Sequence, residues 1–340
     1  MLLVILDHGT RVSLDTDGPF ALWSPAGHGV RLFFVLSGFL ITGILAHARS
    51  QAEAAGISRA EVWKAFLVRR ALRIFPLAYV AIVVAWLLGF PAAREHLWQY
   101  VFYTSNFGVG LFNHESGGLK HFWSLAVEEQ FYLLWPLAIL WVPRRHWPRL
   151  IIAVLIAALA TRVPTTVFLG VWGAYSLPWS RFDALAIGAL LAVAPPRAAV
   201  LAVLAVPFLI IGTLGGAKSM QGVVFNETAL VLLTAIVVQY VAQRQPRWLT
   251  VRPLVFVGTI SYGLYVWNSM VPRLLAALEI HPPDHGMVRL GIVFAGALVL
   301  ATLTWFVFEK PLNGFKDRWP YLPRPRTAPT AEPVLVGAST

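Results

Sequence analysis

The sequence has no cysteine among its 340 residues, which excludes a disulfide, a thiolate metal site and a cysteine nucleophile. Charge is also scarce, because Asp, Glu, Lys and Arg together make up 13% of the residues, against 58% hydrophobic residues. A soluble protein of this length rarely has so little charge to cover its surface. The nine histidines are scattered without the spacing of metal ligands, so a metal site is not expected.

Acidic residues are outnumbered by basic ones, 16 against 27, which gives a formal net charge of +11. In a soluble protein such an excess would favour nucleic-acid binding. In this sequence, however, apolar runs of about 20 residues recur from end to end, which indicates a polytopic helical membrane protein. Basic loops beside anionic membrane lipid then explain the charge better, and no nucleic-acid partner is expected.

Most of the apolar runs are long enough to be candidate spans, and two further segments are irregular. Residues 1–8 are apolar but too few for a crossing helix of about 20 residues, so the sequence is expected to begin in the middle of its first helix. Residues 97–112 are short and polar at their centre. The predicted spans cover 28–47, 74–90, 122–142, 149–170, 180–195, 198–215, 222–242, 253–275 and 287–309.

The basic residues indicate whether residues 97–112 cross the membrane. Without a crossing, 18 of the 27 Lys and Arg residues fall on one side. With a crossing, the split becomes 12 against 15, which does not follow the positive-inside rule. We therefore predict an all-α transmembrane helical bundle of about ten spans, with 97–112 as a re-entrant or partial helix buried in protein. Both termini are then cytoplasmic.

One domain accounts for nearly the whole sequence, since no internal repeat, second domain or signal peptide is evident. Residues 1–318 are predicted to form a membrane domain. Residues 319–340 are rich in proline and lack an apolar period, which is typical of a disordered tail on the cytoplasmic side.

Two adjacent carboxylates, Glu128 and Glu129, lie inside an apolar run. Charge at helix depth costs about 2.5–3.5 kcal/mol per residue, so such residues need partners or a function. One of the two is expected to pair with an arginine while the other faces a cavity. Structural ion pairing and a catalytic or acceptor-binding role are about equally favoured by the sequence.

Three arginines, Arg69, Arg70 and Arg73, lie at the cytoplasmic mouth of a predicted span. Arg70 and Arg73 are three residues apart and share a helix face. Two clustered guanidinium forks suit phosphate oxygens, which predicts binding of a phosphorylated cytosolic cofactor. The alternative is that the arginines anchor the helix on lipid headgroups. Taken alone, these three residues favour that alternative.

Several other polar residues are weaker candidates. His8, beside Asp7 near the outer end of the first helix, is a natural general base because a neutral imidazole accepts a proton near pH 7. Arg181 and Asp183 are expected to form a structural ion pair with each other. Glu309 is expected to bridge to an arginine at the inner face.

Small and aromatic residues give two further expectations. Ser37 and the adjacent Gly38 fit close packing between helices. Tyr262, Tyr265 and Trp267 are predicted to form an aromatic belt at the membrane surface.

Seven segments, read in order, carry a resemblance to a known family. They are L-L-V-I-L-D-H, G-V-R-L-F-F-V-L-S-G-F-L-I-T, F-L-V-R-R-A-L-R-I-F-P-L-A-Y, H-F-W-S-L-A-V-E-E-Q-F-Y-L-L-W-P, R-F-D-A-L-A-I-G-A-L-L-A, I-S-Y-G-L-Y-V-W and F-E-K-P-L. Together they resemble the acyltransferase-3 family of multi-pass membrane O-acyltransferases, over about residues 1–312.

The resemblance implies that an acyl group, often acetyl, passes from cytosolic acyl-CoA to a hydroxyl of a carbohydrate or other acceptor at the outer face. It also implies a bacterial cytoplasmic membrane location among membrane lipid, with acyl-CoA as donor substrate and no permanently bound cofactor. The family's first-helix histidine, arginine motif and tryptophan-serine-glutamate motif fall on His8, on Arg70 and Arg73, and on Trp123, Ser124 and Glu128, with His121 just before the last motif.

In the implied chemistry, the inner arginines hold the CoA phosphates and His8 deprotonates the acceptor hydroxyl, with a nearby carboxylate orienting the imidazole or the sugar. Direct transfer and an acyl-histidine intermediate both stay open. The sequence departs from the family twice. It starts too late to contain the arginine usually found about ten residues before the histidine, and Asn268 stands where a histidine is common.

Two alternatives stay open at this point. The same acids and arginines could line the path of a transporter or flippase for an anionic lipid-linked sugar. The short first helix would also fit a non-catalytic family member. The sequence does not identify the acceptor, so a cell-envelope polysaccharide and a secreted small molecule such as a macrolide are both open, as are acyl chain length and oligomeric state.

Overall fold

A computed structural model describes residues 2–10, 25–114, 117–215, 219, 221–283 and 286–321, and within these ranges the chain is helical without a strand. The all-α prediction is confirmed. The helices are α1 (Leu2–Thr10), α2 (Pro25–Ala55), α3 (Arg59–Leu87), α4 (Pro91–Glu95), α5 (Leu97–Val101), α6 (Ser105–Phe112), α7 (Phe122–Trp141), α8 (Trp147–Ser176), α9 (Pro178–Val193), α10 (Ala198–Gly215), α11 (Glu227–Arg244), α12 (Arg252–Thr259), α13 (Ser261–Asn268), α14 (Val271–Ala276), α15 (Met287–Thr304) and α16 (Lys310–Gly314).

Five helical stretches in the described part of the chain are long and apolar enough to cross a membrane. They are α2, α3, and three stretches in which α8, α11 and α15 continue into adjoining helical segments, while α10 is a shorter apolar helix. The outward faces of several helices carry large apolar side chains that suit lipid contact. Examples are Leu133 and Leu134 on α7, Val203 and Val206 on α10, and Val299 and Leu303 on α15.

Two predicted spans differ from the helices observed. Helix α3 begins at Arg59, well before the predicted start at residue 74, because the Ser58 hydroxyl caps it by accepting the Glu61 amide at 3.2 Å. The run 253–275 is not one continuous helix but is divided into α12, α13 and α14. Pro272 in the first turn of α14 has no N–H to continue a preceding helix, which accounts for the break before α14.

The segment 97–112, predicted to be a re-entrant or partial helix, is interrupted. Helices α5 and α6 are separated at Phe102–Thr104, where Tyr103 has a positive φ of 52°. Gln130 on α7 donates to the Tyr103 carbonyl at 2.9 Å and pairs with the Asn106 amide through two hydrogen bonds of 3.1 and 3.0 Å. The irregular backbone is therefore satisfied by protein, which is the condition for irregular backbone at membrane depth.

Helices α2 and α9 lie in close backbone contact through two glycines. A Cβ at Gly38 would be 1.9 Å from the Leu185 carbonyl oxygen, and one at Gly188 would be 2.0 Å from the Val35 carbonyl oxygen. No side chain fits at either position. The prediction of close helix packing at Gly38 is confirmed, and this contact fixes Ser37 on the face of α2 that meets α7.

The two ends of the chain are only partly described. The side chains of α1 are described as far as Leu6, so those of Asp7 and His8 lie outside the described residues. Residues 322–340, which make up most of the predicted tail, lie outside them too. The start of that segment contacts α3, since Arg69 donates to the Lys316 and Trp319 carbonyls at 2.9 and 3.3 Å.

Candidate functional site

The Glu128 carboxylate lies at the centre of a buried polar network on α7. It is 1% exposed and accepts hydrogen bonds from the Ser37 hydroxyl of α2 and, at 2.8 Å, from Tyr132 one turn further along α7. The Tyr132 hydroxyl is also 3.2 Å from the Ser37 oxygen. Three oxygens from two helices thus meet in the interior of the bundle. Ser37 serves this network in addition to the packing role expected from its size.

The neighbouring Glu129 points in a different direction, as expected for successive helix positions. It is half-buried, and its Oε1 atom is buried without a hydrogen-bond partner among the described residues. The Tyr103 hydroxyl, on the interrupted segment, is likewise buried without a described partner. Unsatisfied polar atoms of this kind are costly unless water or a ligand supplies the missing bond.

The three arginines Arg69, Arg70 and Arg73 of α3 have three different environments. Arg69 binds the carbonyls that follow α16, as described above. Arg73 forms an ion pair with the buried Glu309 at 3.1 Å and donates to the Thr259 carbonyl at 3.2 Å. The predicted bridge from Glu309 to an arginine is confirmed. Arg70 alone of the three has no hydrogen bond or ion pair to the described residues.

The Arg70 guanidinium lies against two aromatic rings instead. It is 5.2 Å from the Tyr132 ring centroid and 5.7 Å from that of Phe66, within the range of cation–π contact. Tyr132 is the residue that donates to Glu128. Arg70 therefore adjoins the buried carboxylate network through one shared side chain, with its N–H donors available.

The tryptophan-serine segment at the start of α7 is buried against α13. The Ser124 hydroxyl donates to the His121 carbonyl at 3.0 Å and bonds the Tyr265 hydroxyl. The His121 ring nitrogen Nε2 is 3.1 Å from the Val266 carbonyl oxygen. The Trp123 ring meets those of Phe34 and Tyr175 at centroid distances of 6.2 and 5.0 Å.

The aromatic residues of α13 do not form a surface belt, so that prediction is wrong. Tyr265 and Trp267 are buried, at 8% and 4% exposure. The Tyr262 hydroxyl donates to the Ile74 carbonyl at 2.7 Å, and Trp267 donates to Thr304 at 3.4 Å. Each hydroxyl or indole N–H thus finds a partner within the bundle, as buried Tyr and Trp usually do. Asn268, also buried, donates to backbone carbonyls of the preceding turn.

Arg181 and Asp183 do not pair with each other, contrary to prediction, because residues two apart on a helix do not face one another. Arg181 instead bonds Glu227 of α11 at 2.7 Å, and Glu227 also accepts a two-point contact from Arg31 of α2. Asp183 pairs with Arg162 of α8 at 2.5 Å. We call these five residues the ion cluster. They tie α2, α8, α9 and α11 together.

Sequence reasoning missed Arg31, Arg162 and Glu227, and it did not single out Tyr132 or Gln130. The signal for the first three was present, because each is an ionisable residue within or beside an apolar run, where a charge needs a partner. The pairing itself was not readable, since Arg31 and Glu227 are 196 positions apart. No group of three or more potential metal-ligating side chains occurs among the described residues.

Comparison with known proteins gives a family match over nearly the whole chain. The family model described as "Acyltransferase domain" matches residues 1–308. Similar curated proteins include the peptidoglycan O-acetyltransferase OatA of Listeria monocytogenes, with 29% identity over 87% of this chain and 54% of that protein. The O-acetyltransferase OatA of Staphylococcus aureus is 29% identical over 93% of this chain and 57% of its own length.

A third relative is the putative peptidoglycan O-acetyltransferase YrhL of Bacillus subtilis, with 28% identity over 87% of this chain and 52% of that protein. The chain thus spans about half the length of the curated relatives it matches. No solved structure matches. Because the family model covers most of the chain, the chain belongs to this acyltransferase family.

Proposed function

We propose that the chain is a membrane O-acyltransferase that moves an acetyl group from cytosolic acyl-CoA to a hydroxyl of a cell-wall carbohydrate on the outer side of a bacterial cytoplasmic membrane. Family membership supports the reaction class. The names of the relatives in Listeria and Staphylococcus support acetyl as the group, and that of the Listeria relative supports a peptidoglycan-like acceptor. The apolar helices support the membrane location.

One observation carries the proposal: the buried Glu128 carboxylate, held by two hydroxyls, beside an arginine whose donors are available. Burying a carboxylate in a membrane bundle is costly, and helix packing alone does not require it. Catalytic groups, in contrast, are commonly held in buried sites that tune their proton affinity. Glu128 also stands at the glutamate of the tryptophan-serine-glutamate motif.

In the proposed arrangement the bundle has about ten spans, with 97–112 as a partial helix and both termini in the cytoplasm. Arg70 then lies toward the cytoplasm and binds a phosphate of the donor. Arg73, which is engaged by Glu309, fixes the wall of the same entrance, and Arg69 holds the segment after α16. The thioester extends from this entrance toward Glu128.

The chemical step uses His8 as the base. Its neutral imidazole removes the proton from the acceptor hydroxyl as that oxygen attacks the thioester carbonyl carbon. The carbon–sulfur bond then breaks, the acetyl group stays on the acceptor oxygen, and the imidazolium returns its proton to the departing CoA sulfur. Glu128, or Asp7 beside His8, orients the imidazole or the sugar. An acyl-histidine intermediate would use the same residues in two steps.

The test is acetyl transfer from radiolabelled acetyl-CoA in membranes that contain the full chain. We expect His8→Ala and Glu128→Gln each to lower turnover by about 10²–10⁴-fold, the usual contribution of a general acid or base. Glu53→Gln, which removes a half-exposed carboxylate paired with Arg49, serves as the matched control and should leave turnover unchanged. Full activity of the His8 variant in correctly inserted protein would refute the mechanism. Sugar flipping without any need for acyl-CoA would instead support the transporter alternative.

A further inference from the structure

The ion cluster contains one more positive than negative charge. Its three arginines, Arg31, Arg162 and Arg181, face two carboxylates, Asp183 and Glu227, and all five side chains belong to residues that are at most 7% exposed. The ion pairs to these arginines within the described part of the chain involve only these two acids. A buried charge without a counter-charge is strongly unfavourable. Counted over the described residues, the cluster is therefore one anion short of balance.

The excess charge resides on Arg31 and Arg181, because Glu227 is already shared between them. Glu227 Oε2 accepts from Arg31 Nε at 2.9 Å and from Arg181 Nη1 at 2.7 Å, while Oε1 accepts from Arg31 Nη2. Three N–H-bearing atoms are left over. Arg31 Nη1, Arg181 Nε and Arg181 Nη2 are buried and have no hydrogen-bond partner among the described residues.

Both arginine side chains that carry these donors adjoin Tyr175 at the end of α8. Arg31 Nη1 and the Tyr175 hydroxyl lie 3.2 and 3.4 Å from the point where a Cβ on Gly27 would sit. The Arg181 guanidinium is 4.7 Å from the centroid of the Tyr175 ring. The Arg31 guanidinium and the Tyr175 hydroxyl thus lie beside Gly27, and the Arg181 guanidinium lies against the ring of the same tyrosine.

This position adjoins the proposed acceptor end of the site. The Tyr175 ring is 5.0 Å from that of Trp123, and Trp123 precedes Ser124, which is one helical turn before Glu128 on α7. A molecule whose hydroxyl lies near Glu128 could therefore extend one of its other groups toward Arg31 and Arg181.

We infer that Arg31 and Arg181 form a binding site for an anionic oxygen group of the acceptor, a carboxylate or a phosphate, and so position the acceptor for acyl transfer. Guanidinium forks bind both kinds of group, and the bound anion would balance the cluster. That the ligand is the acceptor rests on the proposed function. The charge imbalance and the donors without partners are observed independently of that function.

The direct test is equilibrium binding to the purified full chain in detergent. The probes are an N-acetylated amino-sugar oligosaccharide that bears carboxylates, the same oligosaccharide with its carboxyl groups amidated, and a third form that carries phosphate monoesters instead. We expect at least one anionic form to bind tenfold or more tightly than the neutral amide, and the better of the two identifies the group. Equal binding of all three forms by the unmodified chain would overturn the inference.

Arg181→Gln separates an anion site from a structural role. The variant leaves Arg31 with Glu227 and Arg162 with Asp183, so the cluster becomes balanced. We expect its melting temperature without ligand to equal that of the unmodified chain, while its preference for the anionic oligosaccharide disappears. Arg289→Gln removes another buried arginine, on α15, and should keep the preference.

Retention of the full preference by folded Arg181→Gln would overturn the inference. If that variant does not fold, Arg181→Lys, which keeps the charge but loses the fork, should weaken anion binding while the neutral form binds as before.

Acetyl transfer measured with the same three oligosaccharides distinguishes the two proposals. Transfer to the neutral form with no preference for the anionic ones would overturn this inference and leave the proposed function intact. Anion-dependent binding without transfer from acetyl-CoA to any form would overturn the proposed function, and the acceptor role of the anion site with it.

Discussion

Three arginines lie within five residues on α3, namely Arg69, Arg70 and Arg73. Their partners differ, which indicates different roles. Arg69 and Arg73 are engaged by the chain itself, through the Lys316 carbonyl and the Glu309 carboxylate. Arg70 has no hydrogen bond or ion pair to the described residues and lies against two aromatic rings, one of which belongs to Tyr132. A guanidinium placed in this way keeps its hydrogen-bonding capacity for a ligand. At the scale of single residues, Arg70 is thus the best candidate for the donor phosphates.

This assignment predicts that Arg70→Gln and Arg73→Gln fail in different ways. Loss of Arg70 should raise the KM for acetyl-CoA by about 10-fold or more, which corresponds to one charged hydrogen bond, with little change in melting temperature. Loss of Arg73 leaves Glu309 buried without its partner and should cost about 1–3 kcal/mol of stability. Steady-state kinetics over a range of acetyl-CoA concentrations, together with thermal unfolding, separate the two effects. An unchanged KM in Arg70→Gln would contradict the donor role.

The sequence predicts the contacts of a single residue best where its position in the chain indicates what kind of side chain it will meet. A bridge from Glu309 to an arginine is predicted because basic residues cluster beside the ends of the predicted spans, and Glu309 does pair with Arg73. The predicted pair of Arg181 and Asp183 is wrong because closeness in sequence does not imply closeness in space. Their true partners lie on α11 and α8, and nothing in one sequence reveals which distant helices meet.

At the scale of elements, the contact between α2 and α9 determines the geometry of the site. On α2, Ser37 reaches Glu128 of α7. Arg31 of α2 and Arg181 of α9 both bond Glu227 of α11. The approach depends on Gly38 and Gly188, whose Cα hydrogens face backbone carbonyls of the opposite helix. In membranes, where lipid removes most of the hydrophobic drive for helix association, such close packing supplies much of the stability.

Gly38→Ala and Gly43→Ala on α2 make a matched pair that tests this contact. A methyl group at Gly38 forces the two helices apart, and overpacking of this kind costs about 1–3 kcal/mol. A methyl group at Gly43 meets nothing within 4 Å, so that variant should be neutral or up to about 1 kcal/mol more stable. Thermal unfolding in detergent measures both. Equal stability of the two variants would show that α2 and α9 do not pack as described.

Sequence patterns predicted the long helices well, because apolar runs of membrane length have few alternative structures. They were less informative where an element is interrupted. The polar centre of 97–112 predicts a re-entrant or partial helix but not its division into α5 and α6. In 253–275, the break before α14 depends on Pro272 within an otherwise apolar run. Helix α3 extends past its apolar part because Ser58 caps it, a feature that hydropathy does not detect.

At the scale of the whole molecule, the polar groups lie along the bundle in a definite order. Arg70 adjoins Tyr132, Tyr132 bonds Glu128, and Glu128 lies one turn from Ser124 and the Trp123–Tyr175 contact beside the ion cluster. In the proposed orientation this series leads from the cytoplasmic side to the outer side. Such an order suits a reaction whose two substrates reach one buried site from opposite faces of the membrane.

The most direct test of this central claim is acetyl transfer across a sealed membrane. The purified chain is reconstituted into liposomes with the oligosaccharide acceptor enclosed and radiolabelled acetyl-CoA added outside, where neither substrate crosses the lipid unaided. We predict that label accumulates on the enclosed acceptor, and that it does not when His8→Ala replaces the unmodified chain. Label that forms only when donor and acceptor share one compartment would contradict the account.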